Sequence, residues 1–106
     1  MLKYIALYQK PDDPETFEKR YFGSHVPLVE QTPGLLRAEI ARVTRVYVPG
    51  FLGEETEPYL IAELYFESAE SAKAAFKTPE WQASGANLVE IGGMALVAMF
   101  MAEVLE

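Results

Sequence analysis

His25 is the only histidine in the chain, and imidazole is the one side chain whose ordinary pKa lies close to neutrality. A single histidine removes every metal site that needs two imidazoles. The absence of cysteine removes disulfides, thiolate catalysis, iron–sulfur clusters and cysteine-based zinc sites. Two roles stay open for His25: exchanging a proton with a molecule held in a dry cleft, or satisfying backbone carbonyls freed by a helix break at Pro27. Glu63 is the second candidate, because it alternates with Tyr59, Ile61 and Tyr65 along one strand face. A partly desolvated carboxylate there rises toward the pKa range of a base; the competing reading is an ion pair with Arg37 or Arg42 of a neighbouring strand. Tyr4 and the four tyrosines Tyr8, Tyr21, Tyr59 and Tyr65 offer hydroxyls that line a pocket and orient a bound polar group, or else pack with their hydroxyls wet. Trp81, Met94, Met99 and Met101 read as core or interface filler. No phosphate-binding glycine loop, nucleophile elbow or Ser/His/Asp pattern is present, so no metal and no cofactor is expected.

The elements that position these groups follow from periodicity and punctuation. Leu2 to Gln9 reads as a strand that ends at Lys10-Pro11-Asp12-Asp13-Pro14. Asp13 then caps a helix with Pro14 in its first position and Glu15 at the positive end of the dipole. Its apolar line runs Phe17, Tyr21, His25, Leu28. Gly23 and Pro27 interrupt it, which predicts a kink or an early end beside His25. Leu36 to Val48 reads as a second strand, and an acidic connection from Pro49 to Pro58 carries Glu54, Glu55 and Glu57 as a solvated loop. Tyr59 to Glu67 is a strict alternation: Leu60, Ala62, Leu64 and Phe66 on one face, Tyr59, Ile61, Glu63 and Tyr65 on the other. Ser68 caps an alanine-rich helix through Phe76, Thr78-Pro79-Glu80 starts another that stops at Gly92-Gly93, and Met94 to Val104 closes as a strand.

With 106 residues, half of them hydrophobic, the chain makes one domain over 1–106 with a real core. The order β, α, β, β, α (split), β is that of a ferredoxin-like α+β sandwich. Right-handed crossovers place the helices on one face of the sheet. The uncovered face is also apolar, which calls for a second subunit, a ligand, or both. A formal charge of −7 opposes nucleic acid and anionic membrane surfaces. No apolar run reaches membrane-spanning length, and a cytoplasmic protein is expected.

The segments Leu2-Lys3-Tyr4-Ile5-Ala6-Leu7-Tyr8, Phe22-Gly23-Ser24-His25-Val26-Pro27-Leu28-Val29, Pro33-Gly34-Leu35 and Tyr59 to Phe66, followed by Ser68, Ala69, Pro79 and Glu80, together resemble the EthD family. That family is named for a protein encoded with an ethyl tert-butyl ether degradation system. The resemblance covers nearly the whole chain, and His25-Val26-Pro27-Leu28 is its most specific part. It implies a dimeric α+β barrel, in which two sheets pack face to face and each half keeps a small-molecule cleft between sheet and helices. Similar barrels serve cofactor-free monooxygenases, isomerases, cyclases, haem-degrading enzymes and accessory proteins, so the fold leaves the chemistry open. The expected function is therefore a homodimer that binds a small apolar organic molecule and assists its oxidation or rearrangement. His25 and Glu63 would be catalytic, and the four tyrosines would line the substrate. The alternatives are a non-catalytic accessory module and a haem-binding barrel with His25 as ligand.

Overall fold

A computed structural model describes residues 1–47 and 57–106. Strand β1 (Leu2–Gln9) leads into helix α1 (Pro14–Arg20), a π-helical turn (Tyr21–His25) and helix α2 (Val26–Glu30). Strands β2 (Arg37–Arg42) and β3 (Pro58–Phe66) follow, then helices α3 (Ala69–Phe76) and α4 (Pro79–Glu90), a 3-10 turn (Met94–Leu96) and strand β4 (Val97–Glu103). The four strands pair antiparallel in the order β2-β3-β1-β4. The fold is the ferredoxin-like α+β sandwich. The acidic connection, apart from Glu57 and Pro58, lies outside the described residues.

The helix starts form where their capping chemistry puts them. Asp13 accepts from the Thr16 N–H at 3.2 Å, Ser68 from Ser71 at 3.1 Å and Thr78 from Trp81 at 3.3 Å, and Pro14 and Pro79 occupy first-turn positions that need no N–H. At Pro27 the outcome differs from a stop. The proline ring crowds the carbonyl four residues back, and the chain responds by widening one turn: the Val26 N–H bonds the Tyr21 carbonyl, five residues earlier, and α2 continues beyond. Such π-turns absorb one extra residue and recur at functional sites. Here the turn holds Tyr21 and His25, both buried, with ring centroids 5.2 Å apart.

Three other expectations are corrected. Among the described residues β2 spans only Arg37–Arg42 rather than Leu36–Val48. Met94–Leu96 is a 3-10 turn, so the last strand begins at Val97. The alternation of β3 breaks at its start, because Tyr8 pairs with Leu60 but Gln9 with Pro58, leaving Tyr59 as the extra residue of a bulge. Tyr59 accordingly packs against the helix-side core and donates its hydroxyl to Glu18 of α1. It does not lie with Ile61, Glu63 and Tyr65.

The core lies between sheet and helices in two clusters. One gathers Tyr8, Phe17, Tyr21, Leu60 and Leu88, and the other gathers Leu2, Val29, Leu64, Phe66 and two alanines of α3. Tyr4 bridges toward α3 and α4, with its ring edge-on to Phe76 and Trp81 at 5.2 and 5.1 Å.

Candidate functional site

Between the two clusters the packing leaves a cavity of about 190 Å³. The residues around it explain the void. The sheet supplies Ala6, Ala38 and Ala62 beside Tyr4, Tyr8, Ile40, Leu64 and Met99, and α4 supplies Trp81, Ser84, Gly85 and Leu88, the i, i+3, i+4, i+7 stripe of one helix face. Small residues thus stand on both sides. Larger side chains at these positions would fill the space, so the small residues are not the choice that maximises packing. The π-turn and α2 complete the wall with Tyr21, His25, Val26 and Val29, and Met94 closes it from the 3-10 turn. Among the described residues no Lys, Arg, Asp or Glu lines the space.

Its polar groups are few. His25 is 6% exposed, with its Nδ1 fully buried. Burial pushes the imidazole pKa below its ordinary value, against the opposing pull of the Asn87 side chain and the Ser84 carbonyl, so the ring is neutral at pH 7. Asn87 donates to the Ser24 hydroxyl at 3.3 Å, and its side chain also engages the imidazole. Tyr8 and Tyr21, 1% and 2% exposed, stack edge-on at 5.2 Å. Burial raises the pKa of both phenols, and for Tyr8 the neighbouring Tyr21 raises it further; both remain protonated donors. Tyr4, raised for the same reason, directs its hydroxyl to the Met99 sulfur at 2.8 Å. Ser84 spends its hydroxyl on the Trp81 carbonyl at 2.7 Å. A neutral base, two buried phenol donors and aromatic walls can hold an uncharged molecule and move one proton.

The six residues singled out from the sequence do not converge. His25, Tyr8 and Tyr21 meet at the cavity. Tyr59 sits at the sheet's β2–β3 end, in a network with Glu18 and Arg42 that holds the Glu18 carboxyl below its usual range, chiefly through the Tyr59 hydroxyl. Glu63 and Tyr65 lie on the face of the sheet away from the helices. Glu63 pairs with Lys3 at 3.1 Å, not with Arg37 or Arg42, because β1 rather than β2 carries the near cation. Tyr65 is flanked by Lys3 and Arg37, 5.2 and 4.3 Å from its ring centre. Tyr4, offered from the sequence among the pocket tyrosines, also lines the cavity; Trp81, Ser84, Gly85, Met94 and Met99 complete it without having been singled out as site residues, and Trp81, Met94 and Met99 are walls rather than filler. The signal for α4 was present in its 81, 84, 85, 88 spacing, which sets a glycine amid an inward stripe.

Among the described residues no three His, Asp or Glu side chains gather as a metal site, and no helix is long and apolar enough to cross a membrane. A haem does not fit: the cavity has room for about one aromatic ring, since engineered voids of about 150 Å³ take benzene, and a four-pyrrole macrocycle is far larger.

Comparison with known proteins agrees with this architecture. The EthD domain profile matches residues 9–90. An uncharacterized 11.0 kDa protein from the thcB–thcC intergenic region of Rhodococcus erythropolis is 31% identical over 103 residues, covering 97% of this chain and 95% of that protein. The crystal structure of an EthD family protein from Bacillus halodurans is 32% identical, covers 99% of both chains and superposes with a TM-score of 0.87. Two more distant structures share the fold. A dimeric ferredoxin-like protein from Thermobifida fusca is 14% identical with a TM-score of 0.67, covering 97% of this chain and 90% of that one. SnoaB, a cofactor-independent oxygenase from Streptomyces nogalater, is 13% identical with a TM-score of 0.64, covering 99% and 93%. On the profile match and the two relatives above 30% identity, the chain belongs to the EthD family.

Proposed function

We propose that the chain binds a small, largely apolar organic molecule in the cavity beside His25 and assists its oxidation or rearrangement by taking a proton from it. One observation carries the reading: the chain's single imidazole is buried in the wall of a cavity that no charged side chain among the described residues lines. A neutral imidazole in such a place accepts a proton from an activated C–H or O–H, and the Tyr8 and Tyr21 hydroxyls stabilise the anion that forms. Proton removal is a first step common to rearrangement and to cofactor-independent oxygenation, the activity named for SnoaB.

The working unit we propose is a homodimer closed through the uncovered sheet face, where Ile5, Leu7 and Ile61 are only partly buried and Phe100 is 47% exposed. The dimeric ferredoxin-like relative supports this arrangement. Light scattering at micromolar concentration is expected to return twice the chain mass, and the mass of one chain refutes it.

Proton transfer is tested with cyclohexanone, an uncharged single-ring ketone. Deuterium uptake at its α-carbons in D₂O, followed by proton NMR, is expected to run faster with the protein than with equimolar free imidazole. His25→Gln should remove the excess rate while keeping the fold. If cyclohexanone binds but exchange is not accelerated, His25 is not a base, and the accessory role, in which the cavity only carries a metabolite, takes its place.

A further inference from the structure

Gly85 sits inside α4, a twelve-residue helix, where glycine is a poor choice for the backbone. Three other glycines have local reasons. Gly34 and Gly92 adopt φ of 86° and 83°, and a Cβ on Gly93 would overlap the Leu88 side chain. Gly85 has neither reason: its φ is not positive, and a Cβ built on it meets no heavy atom within 4 Å. It nevertheless lies on the inward stripe of α4 and lines the cavity, so the side chain it lacks would occupy ligand space.

The remaining walls restrict the ligand's chemistry. A space of about 190 Å³ is slightly above the roughly 150 Å³ that takes benzene, enough for one ring with a short substituent. An anion or cation would find no countercharge there, because no ionised side chain among the described residues lines the wall. A neutral imidazole keeps one unprotonated nitrogen as an acceptor, and Tyr4 already donates to Met99. A ligand O–H supplies a donor for that nitrogen.

We infer that the ligand is an uncharged single-ring molecule bearing a hydroxyl that donates to His25, and that Gly85 sets how long a ring substituent the cavity accepts. This rests on the cavity being the ligand site. Phenol, 4-methylphenol, 4-propylphenol and toluene test it by calorimetric titration against the wild type, Gly85→Ala and Gly85→Val. In the wild type 4-methylphenol is expected to bind about tenfold more tightly than toluene, the worth of one hydrogen bond. Gly85→Val should weaken 4-propylphenol by about tenfold or more while leaving phenol nearly unchanged. Gly85→Ala should raise the melting temperature by about 4 °C. A uniform loss across all phenols, or a lower melting temperature for Gly85→Ala, makes Gly85 a packing residue and overturns its size-setting role. Equal affinity for toluene and 4-methylphenol overturns the hydroxyl. If no probe binds the wild type, the cavity is not a ligand site and both readings fall together.

Discussion

The two faces of the sheet share one backbone and alternate residue by residue, yet they handle polarity in opposite ways. On the outer face Lys3, Glu63, Tyr65, Arg37 and Glu39 engage one another: Lys3 with Glu63, both cations with the Tyr65 ring, Arg37 with Glu39 at 3.6 Å. Glu39 and Glu63 stand directly opposite in the β2–β3 register, a like-charge contact that costs stability unless cations adjoin it, and here they do. On the inner face no charged side chain among the described residues lines the cavity, three alanines stand where larger residues would pack, and His25 is buried beside the neutral Asn87 and Ser84. Reactivity goes with the group at the cavity rather than with the greater number of ionisable ones. The carboxylate that looked like a base is committed to a lysine, and the imidazole that looked like a helix-break filler stands in the cavity wall.

The contrast is broken most strongly at neighbouring positions 60 and 61. Leu60 faces inward and is 1% exposed, whereas Ile61 faces out and is only partly buried. Leu60→Ala should cost about 2–5 kcal/mol in urea unfolding, and Ile61→Ala about 1 kcal/mol or less in the separated chain. Ile61→Asp should instead act on assembly, since it places two carboxylates in the dimer contact. Halving of the mass by light scattering, with a little-changed circular dichroism spectrum, is the expected result. A core-sized loss at Ile61→Ala in the isolated chain would mean that the outer face is already covered within one subunit.

Acidity probes the inner face alone. Burial lowers the His25 pKa, so the folded protein binds this proton less readily than the unfolded chain. Stability linked to His25 is therefore fully present above the unfolded value near 6.5 and is lost as pH falls below it toward the lower folded value. Urea midpoints measured from pH 7.5 down to 5 should decline, and His25→Gln should flatten that decline. A midpoint that rises as pH falls through this window would place an anion beside the ring. The carboxyls held low by hydrogen bonds, Asp13 by Thr16 and Glu18 by Tyr59, act at more acidic pH and with the same sign.

What the sequence disclosed, and what it concealed, divides along the range of the physics. Asp13-Pro14, Ser68 and Thr78-Pro79 start helices through contacts within three residues, and the alternation after Tyr59 fixes which side chains share a face; these were legible. Tyr59 itself was misplaced because a bulge depends on how β3 meets Gln9 of β1, fifty residues away in sequence. The Lys3–Glu63 pair was missed for the same reason: it joins the chain's first strand to its third. The π-turn was half legible, since Pro27 announces trouble but the choice between stopping and widening is made by the buried contacts of Tyr21 and His25. The cavity was hardest, because it consists of atoms that are missing. Ala6, Ala38, Ala62 and Gly85 are unremarkable in their own segments and define a space only once four elements bring them together.

The smallest expected effect is also the most discriminating. Glu63 and His25 lie on opposite faces of the sheet, so removing the Glu63 charge should leave the cavity alone. Glu63→Gln keeps the side chain's shape and some hydrogen bonding to Lys3, at a pair whose side chains are about a quarter exposed. Substitutions that share no partners are close to independent. Accordingly 4-methylphenol affinity and cyclohexanone exchange should change by less than about twofold, and the double variant with His25→Gln should behave as His25→Gln does alone. Glu63 can reach the chemistry only through the dimer contact, which its face is proposed to form. If Glu63→Gln lowers exchange well beyond twofold while the mass stays that of a dimer, the two faces are coupled through the partner, and the division of labour drawn from one subunit fails at that point.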